Sequence, residues 1–85
     1  GRQPGVSVYP NAAQNNITIS SKDIDLNQAN IMMTGMDGRV AKSITVSGPS
    51  GMRDETIELD GLSPGVYLYK IETKGGVYTG KLVKE

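Results

Sequence analysis

The sequence predicts an all-β fold, an antiparallel β-sandwich of about seven strands. Short runs of alternating apolar and polar residues recur along the chain, turn-forming residues separate them about every ten positions, and no run carries the apolar spacing of a helix. Strands this short and this regularly punctuated favour a sandwich over a barrel or a meander.

The first strand is Val6 to Tyr9, stopped by Pro10 because proline has no amide hydrogen for the next ladder position. Asn15-Asn16 leads into Ile17 to Ser20, where both isoleucines share one face and the hydroxyl side chains share the other, a half-buried second strand. Asp23 to Asn27 is polar and loop-like. Ala29 to Thr34, with Ile31, Met32 and Met33, suits a central third strand. Asp37-Gly38 then takes the two positive-φ positions of a type I′ hairpin turn, and Val40 to Val46 returns as the fourth strand. Ser47 to Gly51 is a loop by composition. Thr56 to Leu59 alternates at Ile57 and Leu59 and makes the fifth strand. Pro64-Gly65 fits the central positions of a type II turn. Val66 to about Thr73, a tight turn at Lys74-Gly75-Gly76, and Val77 to Lys84 form a terminal hairpin. In its first strand Tyr67, Tyr69 and Ile71 point inward. Val66 and Leu68 then face outward, where they lie under a covering loop or form a docking patch.

Composition narrows function. With 85 residues the chain is one small domain, burying only about 60–65% of its unfolded surface. It has no cysteine and no histidine, which removes disulfides, the usual zinc ligands, and Ser-His or Cys-His nucleophile pairs. No enzymatic activity and no cofactor are expected. Nine basic residues balance nine acidic ones without a like-charge block, so nucleic acid and anionic membrane surfaces are not expected partners. No apolar run approaches the roughly 20 residues of a membrane span. The opening "GRQPG" lacks a signal-peptide pattern, and the chain reads as a piece of something longer.

Several fragments imitate functional motifs. Asp23 to Asn27 begins like an EF-hand loop, but Gln28 stands where glycine is needed and Thr34 where the bidentate glutamate belongs. Asn16-Ile17-Thr18 matches a glycosylation sequon and reads more simply as a turn. Gly35-Met36-Asp37-Gly38 and Gly48-Pro49-Ser50-Gly51 open no helix, so neither cradles phosphate. Met32, Met33 and Met36 read as core filler.

Four segments carry a family resemblance: "VYPN" at Val8 to Asn11, "GMDGRV" at Gly35 to Val40, "LSPGVYLYKIET" at Leu62 to Thr73, and the terminal "GKLVKE". In order and spacing they resemble the type A C-terminal sorting domain of the Bacteroidetes type IX secretion system, from about Val8 to Lys84. Ala12 replaces a second proline of the first element and Gly35-Met36 an Asp-Leu of the second; Pro64, Gly65, Val66, Tyr67 and Lys81 to Lys84 match. The resemblance implies an immunoglobulin-like sandwich over residues 6–85, a linker over residues 1–5, and an address label read by the outer-membrane translocon with its shuttle and sortase proteins. It further implies transit through the periplasm to the cell surface, with sortase cleavage and attachment of the cargo to lipopolysaccharide in most such proteins. By position, Pro64, Gly65, Tyr67, Lys70, Lys81, Leu82, Val83 and Lys84 are the candidate recognition residues. If the last strand lies at a sheet edge, its backbone offers strand addition, and exchange of the hairpin between copies gives a swapped dimer. The alternatives are an immunoglobulin-like binding module for carbohydrate or protein and a structural spacer.

Overall fold

The computed structural model describes residues 5–22, 24–49, 51 and 53–85. Most of the expected linker, Asp23 of the acidic loop and Ser50 of the Gly-Pro-Ser-Gly loop lie outside the described residues. Seven strands follow in order: β1 Val6–Tyr9, β2 Asn16–Ser21, β3 Asn30–Gly35, β4 Val40–Thr45, β5 Asp54–Glu58, β6 Gly65–Thr73 and β7 Gly76–Lys84. They form two antiparallel sheets, ordered β1-β2-β5 and β4-β3-β6-β7. This is the antiparallel sandwich predicted by the alternation, consistent with the immunoglobulin-like form that the resemblance implies, with β3 and β6 central in the larger sheet and β4 and β7 at its edges.

Alternation decides what fills the space between the sheets, because side chains at i and i+2 share a face. Val6, Ile17, Ile19 and Ile57 project from the smaller sheet, and Ile31, Met33, Tyr69, Ile71 and Leu82 from the larger, all buried in one cluster. Ala13, Leu26, Ala29, Val46 and Leu59, just outside the strands, close the ends of that cluster. No buried side-chain nitrogen or oxygen among the described residues lacks a partner, as a dry core requires.

Some local expectations are corrected. Only Gly38, not Asp37, has positive φ in the β3–β4 turn, so the turn is not type I′. Its loop is the three residues Met36 to Gly38, closed by Gly35 N donating to Arg39 O at 2.8 Å, and glycine occupies the left-handed last position. Gly65, at φ +155°, pairs with Lys84 as the first residue of β6 and is not the centre of a type II turn. Met36 is 67% exposed in its loop and Met32 half-buried, so only Met33 fills the core. The fifth strand begins earlier than Thr56, because Asp54 and Glu55 pair with Ser20 and Ile19, and ladder pairing overrides their low strand propensity. Asn16 of the sequon is the exposed first residue of β2.

Candidate recognition surface

The corner entering β6 is built from Leu62 to Tyr67. Leu62 packs against the core, Pro64 has its φ fixed by its ring, and Gly65 takes a φ of +155° that other residues rarely adopt. The Tyr67 ring is buried, and its hydroxyl donates to the carbonyl of Ser63 at 2.5 Å. A tyrosine near the start of the sixth strand, bonded back to the backbone of the preceding corner, is the tie that immunoglobulin-type sandwiches use there. It gives the Pro-Gly-x-Tyr spacing a physical reason. Removing only that hydroxyl with Tyr67→Phe is expected to cost about 1 kcal/mol, the net worth of one hydrogen bond, as measured by denaturant unfolding; an unchanged midpoint would mean that the tie contributes nothing.

From this corner β6 pairs with β7 over Gly65↔Lys84, Val66↔Val83, Tyr67↔Leu82, Leu68↔Lys81, Tyr69↔Gly80 and Lys70↔Thr79. Directly opposed residues share a face, so the candidates divide. Tyr67 and Leu82 point into the core, and Lys70, Lys81 and Val83 lie on the outer face. Lys84 follows Leu82 on the inner side, half-buried at the rim, where its ammonium donates to the main-chain oxygen of Glu85 at 3.0 Å. Pro64 and Gly65 are exposed on the corner. The terminal Lys-Leu-Val-Lys is therefore not one surface.

The outer face is apolar where the lysines flank it. Val66, Leu68 and Val83 are 37%, 47% and 37% exposed, and the covering loop that was one expectation for Val66 and Leu68 is absent among the described residues. A register shift between Met33 and Thr34 adds Val40, because Lys42 opposes Met33 while Val40 opposes Thr34, and the step between them turns Val40 outward in the same row as Thr34 and, one strand further, Leu68. A shallow cavity of about 390 Å³ on this face is lined by Thr34, Leu68, Lys70, Thr79, Gly80 and Lys81. Lys70 lies 3.7 Å from the Glu72 carboxylate, an exposed pair that contributes little. Lys81 has no ion-pair partner among the described residues, leaving a positive charge at the border of the patch.

The outer edge of β7 is not open along its whole length, which corrects the expected strand-addition edge. From Lys81 to Glu85 it is covered by the segment after β1: the Asn11 side-chain amide donates to Lys81 O at 2.8 Å and its oxygen accepts from Val83 N at 2.9 Å. Ala13 N donates to Val83 O, and Glu85 N to Ala13 O, both at 2.8 Å, a short parallel bridge. Sequence reading quoted "VYPN" but did not assign Asn11 a role; its signal was an amide side chain right after a strand-stopping proline. Val40 carried no such signal, since a bulge cannot be seen in the alternation.

Three of the four sequence segments thus meet at one end of the larger sheet, Asn11 against β7 and β7 against the Pro-Gly-x-Tyr corner. The Gly35–Val40 hairpin lies at the same end, because Gly35 opposes Tyr67. Among the described residues no group of three or more Asp or Glu is placed to hold a metal ion, and no helix is long and apolar enough to cross a membrane.

The crystal structure of CopC from Methylosinus trichosporium OB3b is similar in fold, with a TM-score of 0.58 at 12% identity, covering 93% of this chain and 90% of that one. At that identity the likeness concerns the fold alone. No match is found among curated proteins. The family of secretion system C-terminal sorting domains matches residues 7–85, bringing in all four segments. The chain therefore belongs to that non-catalytic family and is a C-terminal sorting signal for type IX secretion, which engages the secretion machinery and directs export towards the outer membrane or cell surface.

Proposed function

We propose that the outer-membrane translocon of the type IX system reads this domain on the outer face of β6 and β7. The observation that carries the reading is the uncovered apolar patch of Val66, Leu68 and Val83, bordered by Lys70 and Lys81, at the end where the family segments converge. Apolar side chains left in water on a small domain favour association, and the flanking cations select an acidic rim on the partner. Pro64 and Gly65 border the patch at the corner, Tyr67 and Leu82 hold the two strands from beneath, and Lys84 closes the rim. Residues 6–85 form the label and residues 1–5 the linker. The cargo passes through the periplasm, and a cell-surface sortase cuts near or before the linker and attaches the cargo to lipopolysaccharide. Mass spectrometry of the mature cargo's C-terminus checks the cut, and a cut inside the sandwich contradicts it.

The test of the surface is a transplant. Residues 1–85 are fused behind a periplasmically exported fluorescent reporter in a type IX-competent bacterium and in a secretion-deficient sibling. The parent fusion is expected at the surface or in the medium only in the competent strain. Leu68→Glu with Lys81→Glu sets two carboxylates opposite one another on the exposed face of the β6–β7 ladder; the repulsion should cost about 1 kcal/mol, small enough to leave the sandwich folded in an unfolding measurement, yet the reporter should stay in the periplasm. Normal surface display of that variant would sink the outer-face reading.

A further inference from the structure

Asn11 performs a task in the backbone ladder that ordinarily belongs to a peptide group. Its side-chain amide donates to Lys81 O and accepts from Val83 N, the two contacts a neighbouring strand would supply at that point on β7. Two residues on, the backbone of Ala13 continues the pattern with Val83 O and Glu85 N. The outward-facing amide and carbonyl of Val83 are both satisfied this way. A β7 terminus paired only to β6 would be an edge strand ending at a chain end, where fraying concentrates.

We infer that Asn11 is a positioning residue for recognition: it locks the end of β7 in register so that Lys81 and Val83 present their side chains on the outer face. This rests on the outer-face reading given above. Asn11 contributes no side chain to the patch and touches Lys81 and Val83 only at their backbone. It acts through the strand that carries Lys81 and Val83, coupling a segment near the start of the domain to the surface at its end. Ala13 is buried and fixes where the segment crosses, and exposed Asn11 supplies the polar contacts. Side-chain size is not what the task uses. The donor and the acceptor are.

The isosteric Asn11→Asp separates these roles. Aspartate keeps the shape and an acceptor for Val83 N, but it loses the donor and sets a carboxylate oxygen against the carbonyl of Lys81. Asn11→Ala removes both contacts. Two readouts on the 85-residue chain and its reporter fusion test the inference. Amide hydrogen exchange at Val83 should accelerate about tenfold in Asn11→Ala, which removes its acceptor, and by a smaller factor in Asn11→Asp, where the acceptor stays but the carboxylate repels Lys81 O, while exchange at buried strand positions such as Ile71 stays at the parent rate. Surface display of the fusion should fall in both variants, in the same order. A role in packing alone predicts that Asn11→Asp behaves as the parent.

Parent-like exchange at Val83 in both variants overturns the lock, and faster exchange with normal export overturns its role in recognition. The underlying reading fails separately: normal display of the Leu68→Glu/Lys81→Glu fusion condemns the outer face whatever Asn11 does. Blocked display of that fusion beside normal display of both Asn11 variants condemns only the present inference.

Discussion

Replacing Leu82 by alanine is expected to destabilise the domain by about 2–5 kcal/mol, the range for emptying a fully buried leucine site. Leu82 is wholly inaccessible and opposes Tyr67 across the β6–β7 ladder, so the cavity opens beneath the corner and beneath the candidate surface together. An 85-residue domain carries roughly 4–13 kcal/mol of net stability, at about 0.05–0.15 kcal/mol per residue. The loss is therefore a large share of the whole. Guanidinium unfolding should show a lower midpoint with an unchanged slope, and a shift worth under about 1 kcal/mol would contradict the placement of Leu82 as a core anchor. Deleting residues 81–85 removes the same anchor together with the atoms that Asn11 and Ala13 hold, so that truncation is expected to leave an exported cargo in the periplasm. It does so by dismantling the label. The Leu68→Glu/Lys81→Glu variant loses export with the sandwich intact, and comparing the two separates a label that is absent from one that is present and unreadable.

How much of this was legible depends on which residues carry the information. Alternation fixes faces, so the burial of Ile17, Ile19, Tyr67, Tyr69 and Ile71 follows from the sequence directly, and β1 and the terminal hairpin end within a residue of where the alternation puts them. Turn type was less legible. Asp37-Gly38 has the composition of a type I′ turn, but the loop takes a third residue and uses only the glycine's left-handed freedom. The bulge that turns Val40 outward leaves no trace in the alternation, because it is a property of two paired strands. Of the site, the sequence supplied the segments and not their geometry. Lys81 and Lys84, three residues apart, necessarily face opposite sides of a strand, yet their shared segment invited reading them as one surface. The contact of Asn11 with β7 joins residues 70 and 72 positions apart, a separation at which local patterns are silent.

Gly80 illustrates a glycine whose use is space and not conformation. It sits in β7 without a positive φ, so a side chain there meets no backbone strain. It opposes Tyr69, and a Cβ built on it would collide with the phenol, falling 2.8 Å from Cε2 and closer still to Cζ and Oη. The ring lies across the glycine and covers the gap its missing side chain leaves at an edge strand, the aromatic-over-glycine arrangement that stabilises sheets elsewhere. Gly80→Val is expected to drive Tyr69 from its site at a cost of about 1–3 kcal/mol, the range for overpacking, and to lower Tm by roughly 5–20 °C. Burial raises the Tyr69 phenol above its ordinary value, because desolvation penalises the phenolate. A raised folded-state value means this contribution to stability is present below about pH 10 and is lost as pH climbs through the folded-state value. In Gly80→Val the displaced phenol should titrate in the ordinary tyrosine range, with less of that alkaline loss. Tyr69→Leu shortens the side chain that Gly80 accommodates, and valine is the better strand residue. In that background Gly80→Val should cost little or become favourable, and a double-mutant cycle with no coupling between the two positions would refute the arrangement.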